Sequence, residues 1–254
     1  MIAATLIGYG EAGQAFDGAG NWRAFDVRPD RSKAASLDVA LAGAELVVSV
    51  VTADQALAAA EATARHIMPG TVFCDMNSVA PETKRAAAAV IEAAGGRYAD
   101  VAVLAPVNPA GLAVPLLLAG KAAEEAEVLL RAAGFTNIRV IGHEVGRASA
   151  IKMIRSVMVK GVEALTAEMM FAAEAAGVAD EVLASLDASE KTLPWRARAD
   201  YNIERMATHG LRRAAEMEEA AKTLRGLGIE PVMTAGTARR QREMAGKAFG
   251  RTQS

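Results

Sequence analysis

The stretch Ile2-Ala3-Ala4-Thr5-Leu6-Ile7-Gly8-Tyr9-Gly10-Glu11-Ala12-Gly13 runs an apolar segment into a G-x-G-x-x-G string, and a second short apolar segment, Trp22 to Phe25, ends at Asp26. Glycines alone say little. This order, however, supplies a strand, a turn that opens a helix, and an acidic residue closing the next strand. Gly8 permits the tight turn, Gly10 lets a pyrophosphate approach the backbone, and Gly13 lets helix and strand pack closely. Along Tyr9, Glu11 and Ala12 the backbone of the helix start faces the phosphates, where unpaired N–H groups and the helix dipole favour negative charge. Asp26 stands 18 residues beyond Gly8, where an acid accepts the two ribose hydroxyls of an adenosine. A dinucleotide site is expected. Asp26 repels a 2′-phosphate and argues for NAD, whereas Arg28 would pair with one and keeps NADP open.

Composition bounds the remaining choices. A chain of 254 residues has room for one large core or two domains. It is 52% hydrophobic but only 4% aromatic, so its core is built from Ala, Val, Leu, Ile and Met, which suits closely packed helices. A formal net charge of −2 gives no reason to expect nucleic acid or an anionic membrane as partner. Arg239, Arg240, Arg242, Lys247 and Arg251 read as a solvated helix face and tail. The single cysteine, Cys74, excludes an internal disulfide, fits a reducing compartment, and in Thr71-Val72-Phe73-Cys74 reads as a buried structural thiol. The first strand starts at residue 2 and no apolar run reaches the length of a membrane span, so a cytoplasmic protein is expected. His66, His143 and His209 have no ligand-like spacing, and no metal is expected.

Strand-like and helix-like segments alternate to about residue 144. Strands are expected at Trp22–Asp26, Glu45–Val51, Thr71–Asp75, Tyr98–Leu104, Leu116–Ala119 and Ile138–Ile141. Between them fall helices at Ser32–Ala42, Asp54–His66, Ala122–Ala133 and one that Pro81 opens and Gly95-Gly96 closes. Such alternation predicts an α/β, Rossmann-type doubly wound and mostly parallel sheet, with its ligand outside the carboxyl ends of the strands. Beyond residue 146 only helices are expected: Arg147–Gly177, Asp180–Ser189, Trp195–Thr208, Leu211–Leu227 and one after Thr234. The predicted division is therefore a dinucleotide-binding domain over 1–146 and a smaller all-helical substrate and dimerisation domain over 147–254.

The second informative segment is Ala148-Ser149-Ala150-Ile151-Lys152-Met153-Ile154-Arg155-Ser156-Val157-Met158-Val159-Lys160. At helical spacing Ser149, Lys152, Ser156 and Lys160 fall near one line, with Arg155 beside it. The other positions are apolar nearly all round, so the helix is expected to be largely buried. A buried ammonium is costly unless it is paired or gives up its proton, which makes Lys152 a candidate general base. The alternative is a polar stripe at the surface, with Lys160 paired to Glu163.

Taken together these segments resemble the β-hydroxyacid dehydrogenase superfamily, which includes 3-hydroxyisobutyrate and 6-phosphogluconate dehydrogenases. Val51-Thr52 ends the strand whose loop, in that family, lies beside the nicotinamide ribose. Asp75-Met76-Asn77-Ser78-Val79-Ala80-Pro81 resembles its D-x-S-T-x-x-P loop, and Asp100-Val101-Ala102-Val103 falls at its D-A-P-V. Gly146 and Lys152 match its G-x-G-x-x-x-K, whose lysine is the catalytic acid/base. The resemblance implies an NAD(P)-dependent oxidoreductase acting on a small hydroxy acid or the corresponding carbonyl compound. Lys152 would be the acid/base, Ser156 would orient it or the substrate hydroxyl, and Asn77 and Ser78 would contact the nicotinamide ribose or the substrate oxygen.

The departures concern the substrate. Leu104-Ala105-Pro106 stands where the family has Ser-Gly-Gly and offers no side-chain donor, so Arg155 is the first choice for holding an anionic group, with Ser78, Val103 and Leu104 as further expected substrate contacts. Ser156 replaces an asparagine, Ala148 a glycine, and Ala215 the lysine of a K-D-L motif aligned on Glu216-Met217. With His209-Gly210-Leu211-Arg212-Arg213-Ala214-Ala215-Glu216-Met217, these features resemble a divergent branch similar to 6-phosphogluconate dehydrogenase. Oxidative decarboxylation or isomerisation of a sugar acid, imine reduction, and a non-catalytic NAD(H)-binding regulator stay open as alternatives. A homodimer through the helical domain is expected from its small size and from the resemblance.

Overall fold

Near-continuous apolar runs form central strands buried on both faces, and with a shorter, less buried strand at each edge they build one seven-stranded sheet among the described residues. β1 (Ala4–Ile7) pairs in parallel with β2 (Arg23–Phe25) and with β3 (Leu46–Ser49). β4 (Val72–Asp75) follows β3, and β5 (Arg97–Val103) follows β4, all parallel. β6 (Leu116–Ala119) runs antiparallel to β5, and β7 (Ile138–Val140) is parallel to β6. The computed structural model describes residues 2–18, 22–189 and 194–247, without the side chains of Glu163, Trp195, Arg196, Glu216, Glu219 and Lys222. The chain divides into two compact units, Met1–Val157 and Met158–Ser254.

In the first unit, alternate residues of each strand feed two separate cores. Leu6, Val48 and Cys74 pack on one face with Phe16, Leu130 and Phe135; Ile7, Val47 and Phe73 pack on the other with Leu41, Ala87 and Ile91. The first face carries α1 (Glu11–Asp17) and α5 (Ala123–Ala132), the second α2 (Leu37–Leu41), α3 (Ala56–Ala64) and α4 (Pro81–Ala93). A mostly parallel sheet followed, among the described residues, by helices alone is the architecture that the alternation predicted. Burial pushes the Cys74 thiol far above its usual range, as expected of an inert structural thiol.

Three expectations are corrected. The predicted helix Ser32–Ala42 forms only over Leu37–Leu41. The N–H groups of Lys33 and Ala34 both donate to the Ala24 carbonyl, at 3.1 and 2.9 Å, which ties the segment to β2 as a loop. The predicted break between Thr208 and Leu211 is absent, and α8 runs unbroken from Trp195 to Gly226. Gly210 instead provides a notch for α9 (Val232–Met244): a Cβ there would overlap the Gln241 carbonyl oxygen. Lastly, α6 (Arg147–Ala176) is not largely buried, for Ile154, Val157 and Phe171 are 72%, 75% and 63% exposed. Its apolar pattern runs nearly all round the helix, and part of that apolar surface is exposed.

The second unit holds most of α6 together with α7 (Ala179–Ser189), α8 and α9. Glu168 of α6 closes the start of α9, accepting the N–H groups of Met233 and Thr234 at 2.7 and 2.8 Å and the Thr234 hydroxyl at 2.5 Å. An acid from a neighbouring helix thus caps donors that α9 leaves unpaired.

Candidate active site

The glycine loop opens at the carboxyl end of β1. Gly8 has φ +92°, and a Cβ there would lie 2.7 Å from the Val50 carbonyl oxygen. A Cβ at Gly13 would overlap the Gly8 carbonyl, so both glycines serve the packing of strand, turn and helix. Gly10 is different. It precedes α1 with φ −77°, and an added Cβ would meet within 4 Å only Arg31 Nη1, at 3.7 Å. The open space above the Gly10 backbone fits the close approach of a pyrophosphate.

Asp26, half-buried just past β2, accepts the Tyr9 N–H on Oδ2 at 2.7 Å and the Arg28 N–H on Oδ1 at 2.9 Å. Each oxygen keeps further acceptor capacity for a hydroxyl. Gly8, Gly10, Asp26, Arg31, Val51 and Thr52 line one cleft of about 350 Å³. Tyr9 turns its hydroxyl to Asp17 at 2.5 Å, burial and this bond raising its pKa, while Asp17 also pairs with Lys33. The exposed Glu11 accepts a hydrogen bond from Asn108 at 3.0 Å, and Ala12 is half-buried. Arg28 pairs with Asp30 at 3.1 Å and holds that carboxyl below its usual range. Arg31, which the sequence reading passed over, is the cation beside Gly10.

Around the lysine, Asn77 is 4% exposed and its side chain faces inward. Its Oδ1 accepts the Val51 N–H at 2.7 Å and its Nδ2 donates to Ser49 Oγ at 3.0 Å. Through these bonds Asn77 supports the Val51–Thr52 loop. Ser78, next along, is exposed and accepts a hydrogen bond from Lys152 Nζ at 2.6 Å. The two residues lie 74 positions apart in sequence.

α6 places the lysine through its first turn. Gly146 has φ +100°, and a Cβ there would come 2.6 Å from Arg85 Nη1 and 3.1 Å from Pro81 Cβ, so glycine suits the start of α6 against α4. Asp100 Oδ2 accepts the Gly146 and Ser149 N–H groups at 3.0 and 3.1 Å. Lys152 follows Ser149 by one turn on the same face. Lys152 and Ser156 are half-buried and Arg155 is exposed. Val103 is buried in the core, and Leu104 is half-buried and packs against the small cluster of Ala102, Leu117, Ala119 and Ala148. His209 and Arg212 are exposed on α8 in the second unit, beside an open cleft of about 560 Å³ next to α9. The side chain of Glu216 and residue Arg251 lie outside the described residues.

A family model described as a domain of unknown function, DUF1932, matches residues 173–244. The structure of a conserved hypothetical protein from Sinorhizobium meliloti 1021 is 35% identical, covers 100% of this chain and 92% of its own, and superposes with a TM-score of 0.62. Conserved protein MTH1747, described as of unknown function with structural similarity to 3-hydroxyacid dehydrogenases, is 31% identical over 95% of this chain and 96% of its own, with a TM-score of 0.58. An imine reductase from Myxococcus stipitatus, solved with NADP+, shares the fold at a TM-score of 0.77 and 18% identity, covering 95% of this chain and 93% of its own.

Proposed function

Because this chain belongs to the 3-hydroxyacid dehydrogenase-like family, we propose that it is an NAD(P)-dependent oxidoreductase interconverting an alcohol and a carbonyl compound, with Lys152 as acid/base. When bound, the nicotinamide supplies or accepts the hydride. The observation that carries the reading is the 2.6 Å bond from Lys152 Nζ to Ser78 Oγ, made at the carboxyl edge of a sheet whose glycine loop leaves open space at Gly10.

The chain's own part is the proton. In the oxidative direction the neutral amine of Lys152 takes the hydroxyl proton of a secondary alcohol; in the reductive direction its ammonium form returns a proton to the developing alkoxide. Ser78 accepts from the ammonium and fixes where the amine points, and Ser156, one turn beyond Lys152, borders the same place. Such general acid–base help contributes roughly 10²- to 10⁴-fold to a rate. Arg155 supplies an exposed planar cation suited to a carboxylate or phosphate, which favours a 3-hydroxy acid or sugar-acid-like substrate. Asp26 favours NAD over NADP, since Arg28 is already engaged with Asp30. The apolar surface exposed along α6 supports a homodimer; sedimentation showing only monomer at micromolar concentration would contradict that assembly.

The test is a panel of hydroxy acids and aldonates with NAD and NADP, read at the absorbance of the reduced nicotinamide, for wild type and Lys152→Ala. Turnover should fall by about 10²- to 10⁴-fold while NADH affinity stays near wild type. Equal loss of both means that Lys152 supports structure or cofactor binding. NADH binding by the wild type without turnover on any panel member supports the non-catalytic alternative.

A further inference from the structure

Beneath the Lys152–Ser78 pair lies a group of charges with no part in the chemistry above. Asp75 and Asp100 are register partners on the adjacent strands β4 and β5, and their side chains are 1% and 0% exposed. Like charges directly opposed in a sheet repel, and here little solvent screens them. Lys84 of α4, itself 0% exposed, answers both. Its Nζ lies 2.9 Å from Asp75 Oδ1, 2.5 Å from the Asp75 carbonyl oxygen and 3.5 Å from Asp100 Oδ1. The Tyr98 hydroxyl, which burial keeps protonated, donates to Asp75 Oδ2 at 2.7 Å. The strands need no such bridge to stay together, because their backbone ladder already pairs them.

The acids matter for what they hold on their other sides. Asp75 Oδ1 accepts the Asn77 N–H at 2.9 Å, immediately before Ser78. Asp100 Oδ2 accepts the Gly146 and Ser149 N–H groups, donors that the first turn of α6 leaves unpaired, one turn before Lys152. Two chains of contact therefore start at one ammonium. One runs from Lys84 through Asp75 to the N–H of Asn77, the residue before Ser78; the other runs through the 3.5 Å ion pair with Asp100 to the N–H of Ser149, one helical turn before Lys152; the two meet again in the 2.6 Å bond between Lys152 and Ser78.

We infer that Lys84 is a positioning residue: by bridging Asp75 and Asp100 it fixes the first turn of α6 against the Ser78 loop, and so holds the Lys152 amine in place. The catalytic meaning rests on the function proposed above. The register itself is a property of the chain whether or not it turns over substrate.

Lys84→Met alone would leave two buried carboxylates without a cation, and unfolding would be a trivial result. Lys84→Met combined with Asp100→Asn keeps the group's net charge at one negative while removing the bridge. The readouts are trace acetylation of lysines against pH, followed by mass spectrometry with Lys160 as the exposed reference on the same helix, and amide exchange of the peptide spanning Gly146–Ser149. Ser78→Ala sets the labelling midpoint of a Lys152 that has lost this acceptor. In the double variant the Lys152 midpoint should move to the Ser78→Ala value, and first-turn exchange should rise about tenfold, the size of one charge-assisted hydrogen bond.

Wild-type values for both readouts in the folded double variant overturn the inference, as does a Ser78→Ala protein whose Lys152 labels like wild type. Should the double variant not fold, the isosteric Asp100→Asn takes its place. There the amide oxygen can keep the α6 donors, while Nδ2 faces Lys84 donor to donor, and wild-type behaviour is again the overturning result. Neither readout needs turnover, so a failed dehydrogenase assay leaves this test standing, and a failed bridge leaves the dehydrogenase proposal to its own assay.

Discussion

Replacing Gly10 with alanine separates a glycine kept for a ligand from one kept for the fold. The backbone at Gly10, φ −77° and ψ −159°, is open to any L-residue, and the new methyl would touch only the mobile end of Arg31 at 3.7 Å. As the residue before α1 it should lose up to about 1 kcal/mol of stability on becoming alanine, which for a chain of this size lowers Tm by roughly 2–4 °C. Gly8→Ala and Gly13→Ala should behave otherwise. At Gly8, φ +92° alone costs about 1–2 kcal/mol for a residue with a Cβ, before the approach to Val50 is counted. At Gly13 the new atom overlaps the Gly8 carbonyl.

If the loop cradles a pyrophosphate, the methyl at position 10 pushes it from the N–H groups of the α1 start. Losing one charge-assisted hydrogen bond costs roughly 1.5–3 kcal/mol, or about 10- to 150-fold in Kd. Titration of NADH fluorescence beside a thermal melt reads both quantities. The expected result is a nearly unchanged melt with affinity lost at Gly10→Ala, against a lowered melt at Gly8→Ala and Gly13→Ala. NADH bound by Gly10→Ala as tightly as by wild type would refute the cradle.

Asp26→Asn should weaken NAD more than NADP, shifting the ratio of their Kd values by about tenfold or more, since a carboxylate beside a 2′-phosphate repels it; an unchanged ratio removes the NAD assignment. At Glu168 burial alone would raise the pKa, but the bonds from the Thr234 hydroxyl and the backbone around Met233 outweigh it and hold the carboxyl below the usual range. A group whose folded pKa is depressed stabilises the fold above its unfolded pKa, about 4.3 for glutamate, and that contribution is lost as pH falls through the lower folded value. Glu168→Gln should therefore be less stable than wild type at neutral pH and converge on it in acid, as read by urea unfolding; a constant gap across pH would show that the charge contributes nothing.

The strands and the glycine loop were legible because their causes are local. A strand buried on both faces is a continuous apolar run wherever its neighbours come from, and Gly8 and Gly13 are required by contacts within a few residues or one strand away. Lys152 and Ser78 were each placed at a site through the family resemblance, but their bond was not legible, for nothing in the spacing of residues 74 positions apart brings them together. Gly210 shows the reverse failure. A glycine in a helical pattern reads as a break, yet here the helix continues and the missing side chain admits α9, a partner that only the folded second unit supplies. The exposed faces of α6 likewise announce that cover is wanted without saying what provides it.

Lys84 was missed for a different reason, and its signal was present. In Pro81-Glu82-Thr83-Lys84-Arg85 it looks like one more solvated charge among Glu82 and Arg85, which do pair with each other at the surface. But Lys84, Ala87, Ala88 and Ile91 are the buried residues of α4, spaced at i, i+3, i+4 and i+7. The lysine keeps the period of the apolar stripe, and the helix cannot bury the other three without burying it as well. A charge forced inward at such a position requires an opposite charge waiting there. The two aspartates on neighbouring strands, Asp75 and Asp100, are themselves residues of the family-like motifs. Charge balance between a lysine on the buried stripe and acids on the strands beneath it would have joined them before any coordinates were known.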